Sequence, residues 1–146
     1  MKYYLFLFIL FFSSCYNFVK KEKSKDKLEI ISLEKTACFG TCPIFKITIY
    51  NNGETNYIGK KFVKKPGNHK LNLKQKEIDL ILKKAKKINF QNLKKEYTEN
   101  ISDLPTTYIM IKNKTIKNHF GAPDKLKELE TLIERIILEK LNINSF

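Results

Sequence analysis

The sequence predicts an α+β domain: an antiparallel sheet of about five strands in the order βββα-ββα, with two helices packed on one face. Three observations predict it. Residues 44–50, IFKITIY, alternate with period two, as a strand with one buried face does. Apolar residues at helical spacing instead fill 78–88 and 123–141. Strand-like runs come in groups before each helix, and such grouping favours an antiparallel sheet over an alternating α/β fold.

The chain opens with Lys2 and an apolar run from Tyr3 to Phe12. That run is about half the length a membrane-spanning helix needs, but it suits the central region of an export signal. Ser13-Ser14-Cys15 follows and resembles the lipobox of bacterial lipoproteins, although Phe12 stands where Leu is usual. The alternative is an ordinary signal cleaved at a small residue, leaving Cys15 as a free thiol, which is a liability in an exported protein. Residues 1–14 are therefore read as a lipoprotein-type signal peptide and Cys15 as the lipid attachment site. Residues 15–27 then form the lipidated cysteine and a flexible Lys-rich tether, since YNFVKKEKSKDK has no apolar periodicity. A single domain occupies 28–146, as expected for a chain of 146 residues.

A first strand is predicted from Leu28, with Leu28, Ile30 and Leu33 facing in and Glu29, Ser32 and Glu34 facing water. The second, Ile44 to Tyr50, places Phe45, Ile47 and Ile49 on one face. Asn51-Asn52-Gly53 turns the chain into a third strand, Glu54 to Val63, because these residues tolerate positive φ. Pro66-Gly67-Asn68 breaks the pattern, and Asn72 with Gln75 resembles a capping box opening a helix. Ile78, Ile81, Leu82, Ala85 and Ile88 give that helix one apolar stripe, with lysines on the other side. Pro105 marks the approach to a fourth strand, Thr106 to Lys112, and Asn113-Lys114 turns it into a fifth, Thr115 to Phe120. Gly121-Ala122-Pro123 ends that strand. Pro123 suits the first position of a last helix, along which Leu126, Leu129, Ile133, Ile136 and Ile137 form a stripe.

The formal net charge of +13 invites a nucleic-acid partner. Yet all but one of the 28 basic residues are Lys, Arg135 being the exception. Base and phosphate readout favours the bidentate fork of Arg, so the lysines read as a solvated surface and no nucleic-acid partner is expected.

The most informative stretch joins the first two strands: Cys38-Phe39-Gly40-Thr41-Cys42-Pro43. An extended chain would hold the two cysteines roughly 13 Å apart at Cα, beyond disulfide reach. Gly40 can supply a tight corner, and Pro43 follows it. In an oxidising compartment Cys38 and Cys42 should then close a disulfide. The competing reading is a metal or thiol-redox site. C-x3-C-P resembles the loop of Sco-type copper proteins, in which a distant His joins two thiolates, and here only His69 and His119 could serve. Thioredoxin-like chemistry fits less well, because it uses C-x2-C at a helix N-terminus and here a strand follows. The acidic loop with Glu96, Glu99 and Asp103 could form a carboxylate pair or hard-cation site, but such loop residues more commonly cap backbone or face water. No His pairs with Ser or Asp at catalytic spacing, and the five glycines are scattered singly. No enzyme and no cofactor are expected, with copper as the alternative.

The C-F-G-T-C-P corner, the N-G hairpin, Ile88-Asn89-Phe90, Tyr97, Asp103-Leu104-Pro105-Thr106-Thr107 and Gly121-Ala122-Pro123 together resemble a family of Bacteroidota-type lipoproteins. That family is a domain of unknown function whose signature is a Cys-Phe-Gly-x-Cys-Pro corner, and the likeness spans about residues 28 to 138. It implies placement in the cell envelope and a small α+β domain, and brings no established activity. The expected protein is exported and lipid-anchored, on the periplasmic side of the outer membrane. Its domain is expected to be a non-catalytic binding or structural module contacting an envelope protein. The alternative is a copper-binding or thiol-redox protein acting through Cys38 and Cys42.

Overall fold

The structure is a computed structural model that describes residues 26–101 and 103–146. The signal-like segment and Cys15 lie outside the described residues. The elements are β1 (Glu29–Lys35), β2 (Ile44–Tyr50), β3 (Glu54–Lys61), β4 (Gly67–Asn72), α1 (Gln75–Lys87), β5 (Glu96–Tyr97), β6 (Thr107–Ile111), β7 (Lys114–Asn118) and α2 (Asp124–Leu141). A short 3-10 turn, Phe90–Asn92, follows α1.

All seven strands join one sheet in the order β4-β3-β2-β1-β6-β7-β5. Every pairing is antiparallel except that of β5 with β7, so the sheet is mixed. This corrects the expectation of an antiparallel sheet of about five strands: the protein is mostly sheet, and two edge strands escaped the sequence pattern. The reason is physical. β4, GNHKLN, is held along its length by backbone pairing to β3 alone and buries little side chain, so it carries no alternation to read. β5 is two residues long and is defined only by its partners, Lys117 and Asn118 of β7.

The alternation in β2 works as expected: Phe45, Ile47 and Ile49 are buried. In register with them stand Ile31 and Leu33 of β1, and then Ile109 and Ile111 of β6. Tyr57 continues the row through Ile47 onto β3. In β1 the expected phase fails. A bulge between Glu29 and Ile31 turns Ile31 inward instead of Ile30, and leaves Leu28 exposed.

Both helices bury their stripes in the core shared with these strands: Ile78, Ile81 and Ala85 from α1, and Leu126, Leu129, Ile133 and Ile137 from α2. They run antiparallel, tied by Lys140 to Glu77 at 3.0 Å and by Lys84 to Glu128. α1 is capped by Glu77, whose carboxylate accepts the Lys74 N–H at 2.6 Å, and not by the Asn72 and Gln75 box. Phe146 closes the core by stacking on Phe45 at 4.0 Å between ring centroids.

The corner at Gly40 needs no positive φ, which Gly53, Gly67 and Gly121 do take. A Cβ on Gly40 would meet only the Cys38 Sγ, at 3.9 Å. Gly59 is the constrained glycine. A Cβ there would lie 2.3 Å from the Lys65 carbonyl oxygen and 2.9 Å from the Tyr57 hydroxyl. Gly59→Ala is expected to lower stability by about 1–3 kcal/mol in urea denaturation, whereas Gly40→Val leaves the midpoint nearly unchanged. Equal loss in both would refute this account of the two glycines.

Candidate functional site

β1 ends at Lys35 and the chain leaves the ladder under control. Thr36 N–H donates to the Thr106 carbonyl at 3.0 Å, and Thr106 N–H donates to the Thr36 hydroxyl oxygen at 3.1 Å. The corner between Thr36 and β2 is thus pinned on one side to the approach of β6. Cys38 and Cys42 are disulfide-bonded, with Cα atoms 5.8 Å apart. The clip brings the two ends of the corner together and throws Phe39 outward, where it is 87% exposed. Gly40 N–H points back to the Cys38 Sγ at 3.2 Å. A large aromatic side chain held in water by a covalent clip is the least self-serving feature of the fold, since the hydrophobic effect would otherwise draw it in.

The two histidines are not brought to this corner as ligands. His69 lies on β4, at the far edge of the sheet; its Nε2 is 2.9 Å from the Pro66 carbonyl and its ring sits against Tyr57. His119 follows β7. Its Nδ1 is 3.0 Å from the Thr106 hydroxyl and its Nε2 bonds to the Ile101 carbonyl. Both histidines therefore have backbone or hydroxyl partners. Among the described residues no group of three or more His, Cys, Asp or Glu stands together as a metal site would require. The acidic loop is similarly dispersed: Glu96 pairs with Lys117 at 2.8 Å, and Glu99 lies beside Gly121. Asp103 lies beyond Leu93–Asn100 in the approach to Pro105. Pro43 is half-buried where β2 begins.

Beneath the corner, on the helix-covered face, lies a polar row that sequence reasoning missed. Lys35, Thr107 and Asn118 align across β1, β6 and β7. Above them, α2 contributes Glu130 and Glu134. Asn118 Nδ2 donates to the Glu130 carboxylate at 2.9 Å, and Lys35 pairs with Glu134. Burial pushes the Glu130 carboxyl above its usual range, against the pull of the Asn118 hydrogen bond and of nearby Lys35. The signal was present in the sequence. Glu130 follows Leu126 by four residues and precedes Ile133 by three, which places it inside the apolar stripe.

These features define a two-layer protein: one mixed sheet covered by helices on a single face, with a disulfide-clipped aromatic tip at one end. The chain belongs to the domain-of-unknown-function family DUF6438, which it matches over residues 29–137. No curated protein and no solved structure matches it.

Two outcomes follow from this geometry. The Cys38→Ser, Cys42→Ser double variant loses about 2 kcal/mol of stability on the chain-entropy account of so short a ring, read from urea denaturation with and without reductant. An identical midpoint would show that the corner holds its shape without the bond. Glu130 binds its proton more tightly folded than unfolded, so it favours the folded state at low pH and this contribution is lost as pH rises through its folded pKa. Glu130→Gln keeps the bond from Asn118 and is expected to raise the melting temperature at pH 7, with the advantage vanishing below the ordinary glutamate range. A constant difference at every pH would contradict this.

Proposed function

We propose that this chain is a cell-envelope lipoprotein whose domain is a non-catalytic binding module, presenting the Cys38–Cys42 corner and Phe39 to an envelope protein. The observation that carries the reading is the polarity of β1. At its N-terminal end the chain from residues 1–25 arrives through Asp26 and Leu28. Both are clasped by Asn51: its side chain donates to the Asp26 carbonyl and accepts from the Leu28 N–H, and its N–H donates to the Leu28 carbonyl. At its C-terminal end stands the clipped corner. Seven residues of strand separate the two ends by roughly 20 Å. A lipid on Cys15 would therefore hold the domain by one end and offer Phe39 from the other. An aromatic with only two side-chain torsions, carried on a clipped backbone, suits a recognition tip, because little side-chain freedom is lost on binding.

The test has two arms in the native envelope. Mass spectrometry of the N-terminal peptide should show Cys15 acylated, and Cys15→Ser should release the protein from the membrane fraction. A photo-cross-linking amino acid at position 39 should give one defined adduct that is lost in the Cys38→Ser, Cys42→Ser variant. Adducts equally strong at an exposed position on β4, such as Lys70, would refute the corner as the binding tip. Trapping of free thiols before reduction reads the remaining question. A bonded pair supports a binding module, and free Cys38 and Cys42 would move the assignment to thiol redox or Cu(I) handling.

A further inference from the structure

The end of the domain opposite the corner carries a basic groove for which corner-directed binding has no use. α1 lies across that end. Before it, Leu73 N–H donates to the Gly53 carbonyl of the β2–β3 turn at 2.9 Å. After it, Gln91 Nε2 donates to the Ile111 carbonyl, beside the β6–β7 turn. That turn is fastened to β1 by the Lys112 N–H, which donates to Ile30 at 2.7 Å. Between the last turns of α1 and this β-turn runs an open groove of about 490 Å³. Its floor is apolar, with Leu82, Phe90 and Ile111, and its rim carries Lys83, Lys86 and Lys112. No carboxylate lines it.

The three ammonium groups on the rim are uncompensated, unlike several lysines around them. Lys84 pairs with Glu128, Lys27 with Glu54, and Lys114 donates to the Gln91 and Leu93 carbonyls. Lys83, Lys86 and Lys112 are exposed and have no acidic partner among the described residues. Three uncompensated positive charges around an apolar floor complement an anionic group attached to an apolar body. Lysines supply point charges with no planar fork, so they suit a phosphate better than a base edge.

We infer that this groove seats the headgroup of an anionic phospholipid, so that the α1 end lies on the membrane surface. The groove opens at the Asn51 end, where the chain coming from Cys15 joins the sheet. The inference rests on the lipid-anchor reading for this orientation, since the stretch from Cys15 to Asp26 spans roughly 40 Å at most. No helix among the described residues is long and apolar enough to cross a membrane. Lysines close to an anionic bilayer each contribute about fivefold in binding, so three act together by about a hundredfold.

The experiment uses the full chain purified from native membranes and reconstituted into phosphatidylcholine vesicles, with or without phosphatidylglycerol. Pulsed amine acylation is read lysine by lysine by mass spectrometry. With phosphatidylglycerol present, Lys83, Lys86 and Lys112 are expected to react about threefold more slowly, and this protection disappears in high salt. Lys64 and Lys125, at the corner end, react equally in both vesicles. In the Lys83→Gln, Lys86→Gln chain, Lys112 loses its protection. Equal reactivity in both lipids, protection that survives the substitutions, or stronger protection by a single-stranded RNA than by the vesicles would each overturn the inference. The same spectra separate it from the anchor reading. An N-terminal peptide without acyl mass refutes the anchor whatever the lysines do, whereas an acylated chain with unprotected lysines refutes only the groove.

Discussion

The structure depends on a sheet that is covered on one face only. Phe45, Ile47 and Ile49 of β2, with Ile31 and Leu33 of β1 and Ile109 and Ile111 of β6, must be removed from water together, and both helices serve that single layer. α1 covers one end of the strands and α2 the other, which leaves the strand ends themselves for turns and for the corner. The opposite face stays wet and is occupied by polar residues such as Ser32, Glu34, Lys46 and Thr115, linked in part by Lys60 to Glu34 at 3.0 Å. Everything proposed for function lies at the two ends, because the faces are committed to burial or to solvation.

Legibility in the sequence followed burial. β2 was readable because its inward Phe45, Ile47 and Ile49 are wholly buried, whereas of the outward residues only Thr48 is buried. The two helices were readable for the same reason, to within about two residues at their starts. β1 was found, but its phase was misread, since a bulge is a backbone event that leaves little trace in side-chain type. The β6–β7 turn fell one residue early, at Lys112 and Asn113, where Lys112 takes a left-handed conformation that its residue type does not advertise. β4 and β5 went unseen because edge strands are held by backbone hydrogen bonds, which every residue can make.

The site was legible in its covalent part and not in its surroundings. Spacing, with the oxidising compartment expected from the chain's start, favoured a Cys38–Cys42 disulfide over a metal or redox pair, and the two are bonded. What the sequence could not supply was direction: Phe39 reads as one more aromatic until the clip is seen to turn it outward. Gly40 drew attention at the corner although its backbone does not require a glycine, while Gly59 carries a real close approach within an ordinary strand. The polar row under the corner was spread over β1, β6, β7 and α2, so only the register of the sheet assembles it.

The position of β1 has a mechanical consequence. It is the central strand, bonded to β2 on one side and β6 on the other, and its two ends meet the incoming chain and the clipped corner. A pull between those ends would run along the strand, at right angles to the hydrogen bonds that hold it. Such a load is shared by both ladders at once, as in a lap joint, instead of opening them one rung at a time. The disulfide keeps the loaded end from unravelling into its own loop. A load along that axis would thus meet the sheet in shear, the direction in which its paired strands resist best.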